Sequence, residues 1–152
     1  MENDLAGLLA EIDRIRTDMG KVVQETDTGL MIYPGWTIKE MIAHITAWEF
    51  VIDKSLLAYL AGDPPYFLNE QDFDIFNEEA IEFRASWSLV QVLKEWKDVR
   101  DNVVVTINKL KDIDLPVEIV LPWGSERTVA ELIEIIGEHE EEHMEDTLKV
   151  SG

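Results

Sequence analysis

The chain has 152 residues, of which 46% are hydrophobic and 30% charged, a mixture that fits one globular domain over residues 1–152 and excludes disorder. It has no cysteine, which rules out disulfides, thiolate nucleophiles and cysteine-ligated metal or iron–sulfur sites. A formal charge of −19 repels phosphate backbones and anionic lipid, so neither nucleic acid nor a membrane is expected as a partner, and the acidity is read as serving solubility.

From the N-terminus, the start MENDLAGLLAE is acidic where a signal peptide would be basic, and no apolar stretch approaches the roughly 20 residues of a spanning helix. A cytoplasmic address is expected. Leu5, Leu8, Leu9, Ile12, Ile15, Met19, Val22 and Val23 recur at steps of three and four, which predicts a helix over 4–26 with Asn3 as its N-cap. The next segment, from Leu30 to Gly35, reads as a connection.

Thr37-Ile-Lys-Glu40 is a capping box that opens the second helix, whose inward face carries Ile38, Met41, Ile45, Trp48, Ile52, Leu56 and Tyr59. Gly62 and the following Asp63-Pro64-Pro65 end it. A short helix is expected from Asn77 to Phe83. Ser88-Leu-Val-Gln91 then caps a long helix in which Leu89, Val92, Leu93, Trp96, Val99, Val103, Ile107 and Leu110 keep helical spacing. Between Val117 and Trp123 a small hairpin or a lid loop is expected, turning at Gly124. Thr128-Val-Ala-Glu131 caps the last helix, expected to run to about Leu148. Four long amphipathic segments imply an all-α four-helix bundle with a short irregular or hairpin segment before the last helix.

In that last helix Val129, Leu132, Ile136, His139, His143, Asp146 and Val150 step alternately by three and four, which predicts one inward seam with the neighbouring glutamates outside. Burying an unpartnered imidazole costs on the order of 1 to 3 kcal/mol, so both rings need partners. Spacing i, i+4 places them one turn apart, where both can bind one metal ion at about 2.0 to 2.1 Å. His44, which borders the buried stripe of the second helix, is the third candidate ligand and completes the chain's histidines. Three imidazoles without a fourth protein ligand leave coordination open, as catalytic sites do. Zinc, nickel, iron and manganese all suit such a set.

His139 to His143 also fits H-E-x-x-H, the zinc-protease motif, but it lies nine residues from the C-terminus, without room for the downstream ligand and cleft of such enzymes. Glu140 is nonetheless the available general base if water binds a metal. Trp36, Trp48 and Trp123 are candidate pocket walls.

Gly35-Trp36-Thr37-Ile-Lys-Glu-Met-Ile-Ala-His44-Ile-Thr-Ala-Trp48-Glu49 resembles the second-helix signature of the DinB/YfiT-like superfamily, and Gly137-Glu-His139-Glu-Glu-Glu-His143 resembles its last-helix H-x-x-x-H motif. The resemblance implies an up-down-down-up bundle in which His44, His139 and His143 hold a divalent metal. It also implies a small-molecule substrate, a hydrolase or an S-transferase using a low-molecular-weight thiol, and a homodimer. The stretch from Asn77 through Leu110 resembles the colibactin-resistance branch as well, which implies as the alternative a non-catalytic ligand-binding or toxin-resistance bundle with a structural metal or none.

Overall fold

Apolar stripes at helical spacing carry the architecture of a computed structural model that describes residues 4–152. Its helices are α1 (Leu5–Glu25), α2 (Ile38–Ala61), α3 (Phe73–Phe83), α4 (Leu89–Ile107) and α5 (Val129–Ser151), joined before α5 by a hairpin of β1 (Glu118–Val120) and β2 (Glu126–Thr128). The molecule is a helical bundle in which α1 packs chiefly on α5, α2 chiefly on α4, and α2 also on α5 and α3.

The starts of the helices follow local chemistry. Asn3 lies outside the described residues, and the carboxylate of Asp4 accepts the Gly7 amide at 2.8 Å at the head of α1. Glu40 accepts the Thr37 amide at 2.8 Å, while the Ser88–Gln91 and Thr128–Glu131 boxes are closed in both directions. Gly62 ends α2 in the left-handed conformation at φ 71°, and its Asp63 neighbour donates back to the Ala58 carbonyl. Helix α3 begins four residues earlier than expected, because the Asp72 side chain caps the amides of Asp74 and Ile75. The segment before α5 is the hairpin, with Val120 paired to Glu126 and the turn passing through Gly124. Helix α5 runs three residues beyond the expected end, to Ser151.

The core divides in two. One apolar cluster includes Ile12, Ile52, Val103, Leu132 and Ile136, and the other includes Met19, Ile45, Val92, Trp96 and Met144. Between them lies a polar layer of one residue from each long helix: Arg16, Glu49, Arg100 and Glu140. Arg16 Nε donates to both oxygens of Glu140 at 2.8 and 2.9 Å and its Nη2 to Glu49 at 3.0 Å. Arg100 grips Glu49 with two bonds of 2.9 and 3.0 Å, and the Trp96 indole donates to Glu140 at 3.0 Å. Two carboxylates against two guanidiniums leave no net charge, and bidentate geometry makes the contacts strong.

The expected seam of α5 needs correction. The residues fully or nearly fully buried are Val129, Leu132, Ile133, Ile136, Gly137, Glu140, Met144 and Thr147, whereas His139, His143 and Asp146 are half-buried and Val150 is exposed. A helix packed on several neighbours buries an arc wider than a single three-four seam. Within that arc Gly137 packs closely on α1: a Cβ there would lie 3.0 Å from Ile15 Cδ1 and 3.3 Å from Ile12 Cγ2, so those side chains would have to shift by a few tenths of an ångström to admit one.

Candidate metal centre

His44 leaves the side of α2 facing α5, and His139 and His143 leave successive turns of α5. Their three Nε2 atoms converge, with separations of 3.0 Å for His44–His139, 3.2 Å for His44–His143 and 3.0 Å for His139–His143. Nitrogens bound to one cation at about 2.0 to 2.1 Å, at angles between right and tetrahedral, lie about 2.8 to 3.4 Å apart. The three histidines are therefore positioned to bind a metal ion.

Proton accounting on the outer nitrogens strengthens that fit. The Trp48 indole can only donate, so the atom of Asn77 it meets at 2.8 Å is the carbonyl oxygen. His44 Nδ1, 3.1 Å from the same oxygen, must carry its proton there, leaving Nε2 with a bare lone pair. Tyr33 donates its hydroxyl proton to Asp146 at 2.6 Å, so His143 Nδ1, 2.7 Å from that hydroxyl, is the donor to it, and His143 Nε2 is likewise bare. Two lone pairs thus face each other at 3.2 Å with no proton between them. A cation relieves that repulsion, and the Asn77 and Tyr33–Asp146 contacts are the outer supports that orient metal-binding imidazoles.

The sequence profile of the DinB superfamily matches residues 11–146, a span that contains all three histidines. The chain belongs to the DinB superfamily. Among solved structures, an uncharacterised protein from Escherichia coli UTI89 is similar, with a TM-score of 0.80 and 15% identity over 97% of this chain and 92% of its own. That likeness concerns the fold alone. No curated protein matches the sequence.

In this DinB-superfamily protein burial keeps the rings neutral. Desolvation, with His143 nearby, pushes His44 down to about 4, and desolvation with both neighbouring rings pushes His139 down to about 3. His143 is also lowered by burial, against the opposing pull of Glu142 and Asp146. Burial and then Asp146 raise the Tyr33 pKa, so its phenol stays protonated. A metal entering near neutral pH therefore meets neutral rings, of which His44 and His143 present bare Nε2 lone pairs.

Two clefts open beside the rings. One, of about 390 Å³, is lined by His44 and His139 together with Trp48, Phe73 and Trp123, and the other, of about 670 Å³, by His44 and His143 together with Tyr33 and Trp36. Both fall in the range of small-molecule sites. The structure thus places Trp48 and Trp123 in one cleft, 5.7 Å apart between ring centroids, and Trp36 in the other, 5.0 Å from His44.

Glu140 is elsewhere. It is 0% exposed and turned into the bundle core, with both oxygens held by Arg16 and Trp96. A carboxylate locked in that way is a structural counterion, and the general-base reading of Glu140 does not suit its position. Tyr33 and Asn77 are the site residues that spacing did not pick out, and Asp146 stood in the predicted seam of α5 without a role. Tyr33 sits in the connection before α2, where a tight turn pairs it with Trp36, and Asn77 sits on α3. For Asn77→Leu we expect the metal to bind 10- to 100-fold more weakly, because His44 loses the acceptor that orients it; titration with a chelator of known affinity reads the change.

Proposed function

We propose that the protein is a metal-dependent enzyme acting on a small molecule, with His44, His139 and His143 as metal ligands and the adjoining clefts as the substrate site. The observation that carries this reading is the convergence of three Nε2 atoms within 3.2 Å, two of them with lone pairs left bare by their outer hydrogen bonds. Three ligands from the chain leave coordination positions for a reactant. A bound divalent ion supplies Lewis acidity there, acting on water in a hydrolase or on a low-molecular-weight thiol in an S-transferase.

The chain's own residues do the rest. Asn77 and the Tyr33–Asp146 pair hold the ring planes and tautomers, Trp48 and Trp123 exclude water from one side of the site, and Trp36 covers the other. Zinc, nickel, iron or manganese fits three imidazoles. The up-down-down-up arrangement, the homodimer and the cytoplasmic address belong to the same proposal. Protein purified without a histidine tag should carry one divalent ion per chain by elemental analysis, and it should turn over ester, amide or thiol-acceptor substrates only when that ion is present. Stoichiometric absence of metal after exposure to all four ions would reject the reading.

A further inference from the structure

We propose that Asn77 binds the substrate as well as supporting His44: its amide N–H groups donate to an uncharged carbonyl oxygen of the substrate at the boundary between the two clefts. This rests on the reading of the histidine centre as the reactive site and names a chemical feature of the molecule it takes.

The orientation of Asn77 carries the inference. Its carbonyl oxygen accepts from the Trp48 indole at 2.8 Å and from His44 Nδ1 at 3.1 Å, two donors that both stand on α2. Two bonds to one oxygen decide which end of the amide is which, and the nitrogen is the free end. That nitrogen carries two protons, yet among the described residues nothing accepts from it, and it remains accessible rather than sealed in the protein. Among the described residues His44 and Asn77 line both clefts, which places them where the two meet. Asn77 therefore presents oriented, unpaired donors beside an imidazole that is positioned to bind the metal.

The surroundings select the acceptor. Among the described residues neither cleft is lined by Lys or Arg, so a carboxylate or phosphate on the substrate finds no cationic side chain there. An uncharged carbonyl needs only a neutral donor. Asn77 meets the outer nitrogen of His44, so an imidazole ring separates it from the cation, and the oxygen it takes lies further along the substrate than the metal-bound atom. Trp48, Phe73 and Trp123, with centroids 5.2, 5.7 and 6.2 Å apart, offer an apolar wall on one side. Holding a second point of the substrate turns attachment at a cation into a single orientation of the reacting group. A molecule without the carbonyl leaves the donors unpaired in a cleft it has filled, and is discriminated against on that account.

Asn77→Asp separates this role from the support of His44. The variant is close to isosteric, one carboxylate oxygen still accepts from Trp48 and His44, and the other replaces two donors by an acceptor. Metal affinity, read by chelator titration, should be kept or raised. The probes are metal-binding thiols in pairs of matched length, titrated calorimetrically into the metal-loaded protein: N-methyl-2-mercaptoacetamide against 1-butanethiol, and N-methyl-3-mercaptopropionamide against 1-pentanethiol. A neutral hydrogen bond contributes about two- to twelvefold in affinity, and in Asn77→Asp an acceptor also faces the carbonyl. The preference for at least one carbonyl thiol over its alkyl counterpart should therefore fall about fivefold or more, and the comparison within a pair cancels the effect of the added charge on the metal. In the zinc-loaded parent, which needs no variant, the side-chain amide protons of Asn77 should move downfield in the nuclear magnetic resonance spectrum with that carbonyl thiol and stay in place with its alkyl counterpart. Unchanged preferences in both pairs, amide resonances that stay in place with both carbonyl thiols, or failure of all four thiols to bind the metal-loaded protein would overturn the inference. Metal content of the same samples separates the two readings: bound metal with unchanged preferences overturns this one alone, whereas no bound metal after exposure to any of the four ions overturns the metal-enzyme reading and this one with it.

Discussion

Replacing Glu140 by alanine is expected to lower stability by about 3 to 5 kcal/mol, because it leaves the two guanidiniums of Arg16 and Arg100 to share the single carboxylate of Glu49, with one buried positive charge uncompensated. Arg16 loses both bonds from Nε and Trp96 loses its acceptor, in a layer that joins all four long helices. A domain of this size has about 5 to 15 kcal/mol in total, so the variant is expected to melt about 6 to 20 °C lower or to fail to refold. Thermal or urea denaturation reads this directly. Exchanging Arg16, Glu49, Arg100 and Glu140 together for apolar residues of similar volume should cost far less, since desolvation of the charges vanishes with them. Should the single variant melt within about 2 °C of the parent, Glu140 would not be the structural counterion its contacts imply.

The second large effect is expected at the histidines. Metal at 100 times its dissociation constant stabilises the folded state by about 2.7 kcal/mol, which for this size raises the melting temperature by about 5 to 11 °C. His143→Ala should abolish that rise and the bound metal, while the metal-free variant melts within a few degrees of the metal-free parent. The reason is local: His143 is half-buried in the wall of one cleft, and in the metal-free protein its Nε2 faces a bare lone pair on His44 at 3.2 Å. Removing the ring therefore loses little packing and some repulsion. A large drop in the metal-free variant would instead mark the centre as a brace for the fold.

Much of this protein follows from its order of residues. The capping boxes at Thr37, Ser88 and Thr128 start helices where they occur, because capping is satisfied within four residues. The i, i+4 spacing of His139 and His143 puts both rings on one side of α5 for the same local reason, and His44 bordering the stripe of α2 was enough to suggest the third ligand. The start of α3 at Asp72 was also local, but the capping carboxylate lies in an irregular acidic stretch that hides it.

What only the tertiary structure decided involves partners far apart in the chain. Arg16 meets Glu140 across 124 positions and Arg100 meets Glu49 across 51, and a periodic pattern shows that a charge falls on a core-facing step without showing what neutralises it. Hence Glu140, flanked by glutamates in sequence, reads as solvated and is in fact 0% exposed. Tyr33 and Asn77 reach the rings from a connection and a short helix, and Trp48 and Trp123 become walls of one cleft only once α2 and the hairpin are placed beside the histidines. Helix formation depends on neighbours a turn away, whereas the charge and shape of a site depend on which surfaces long-range packing brings together.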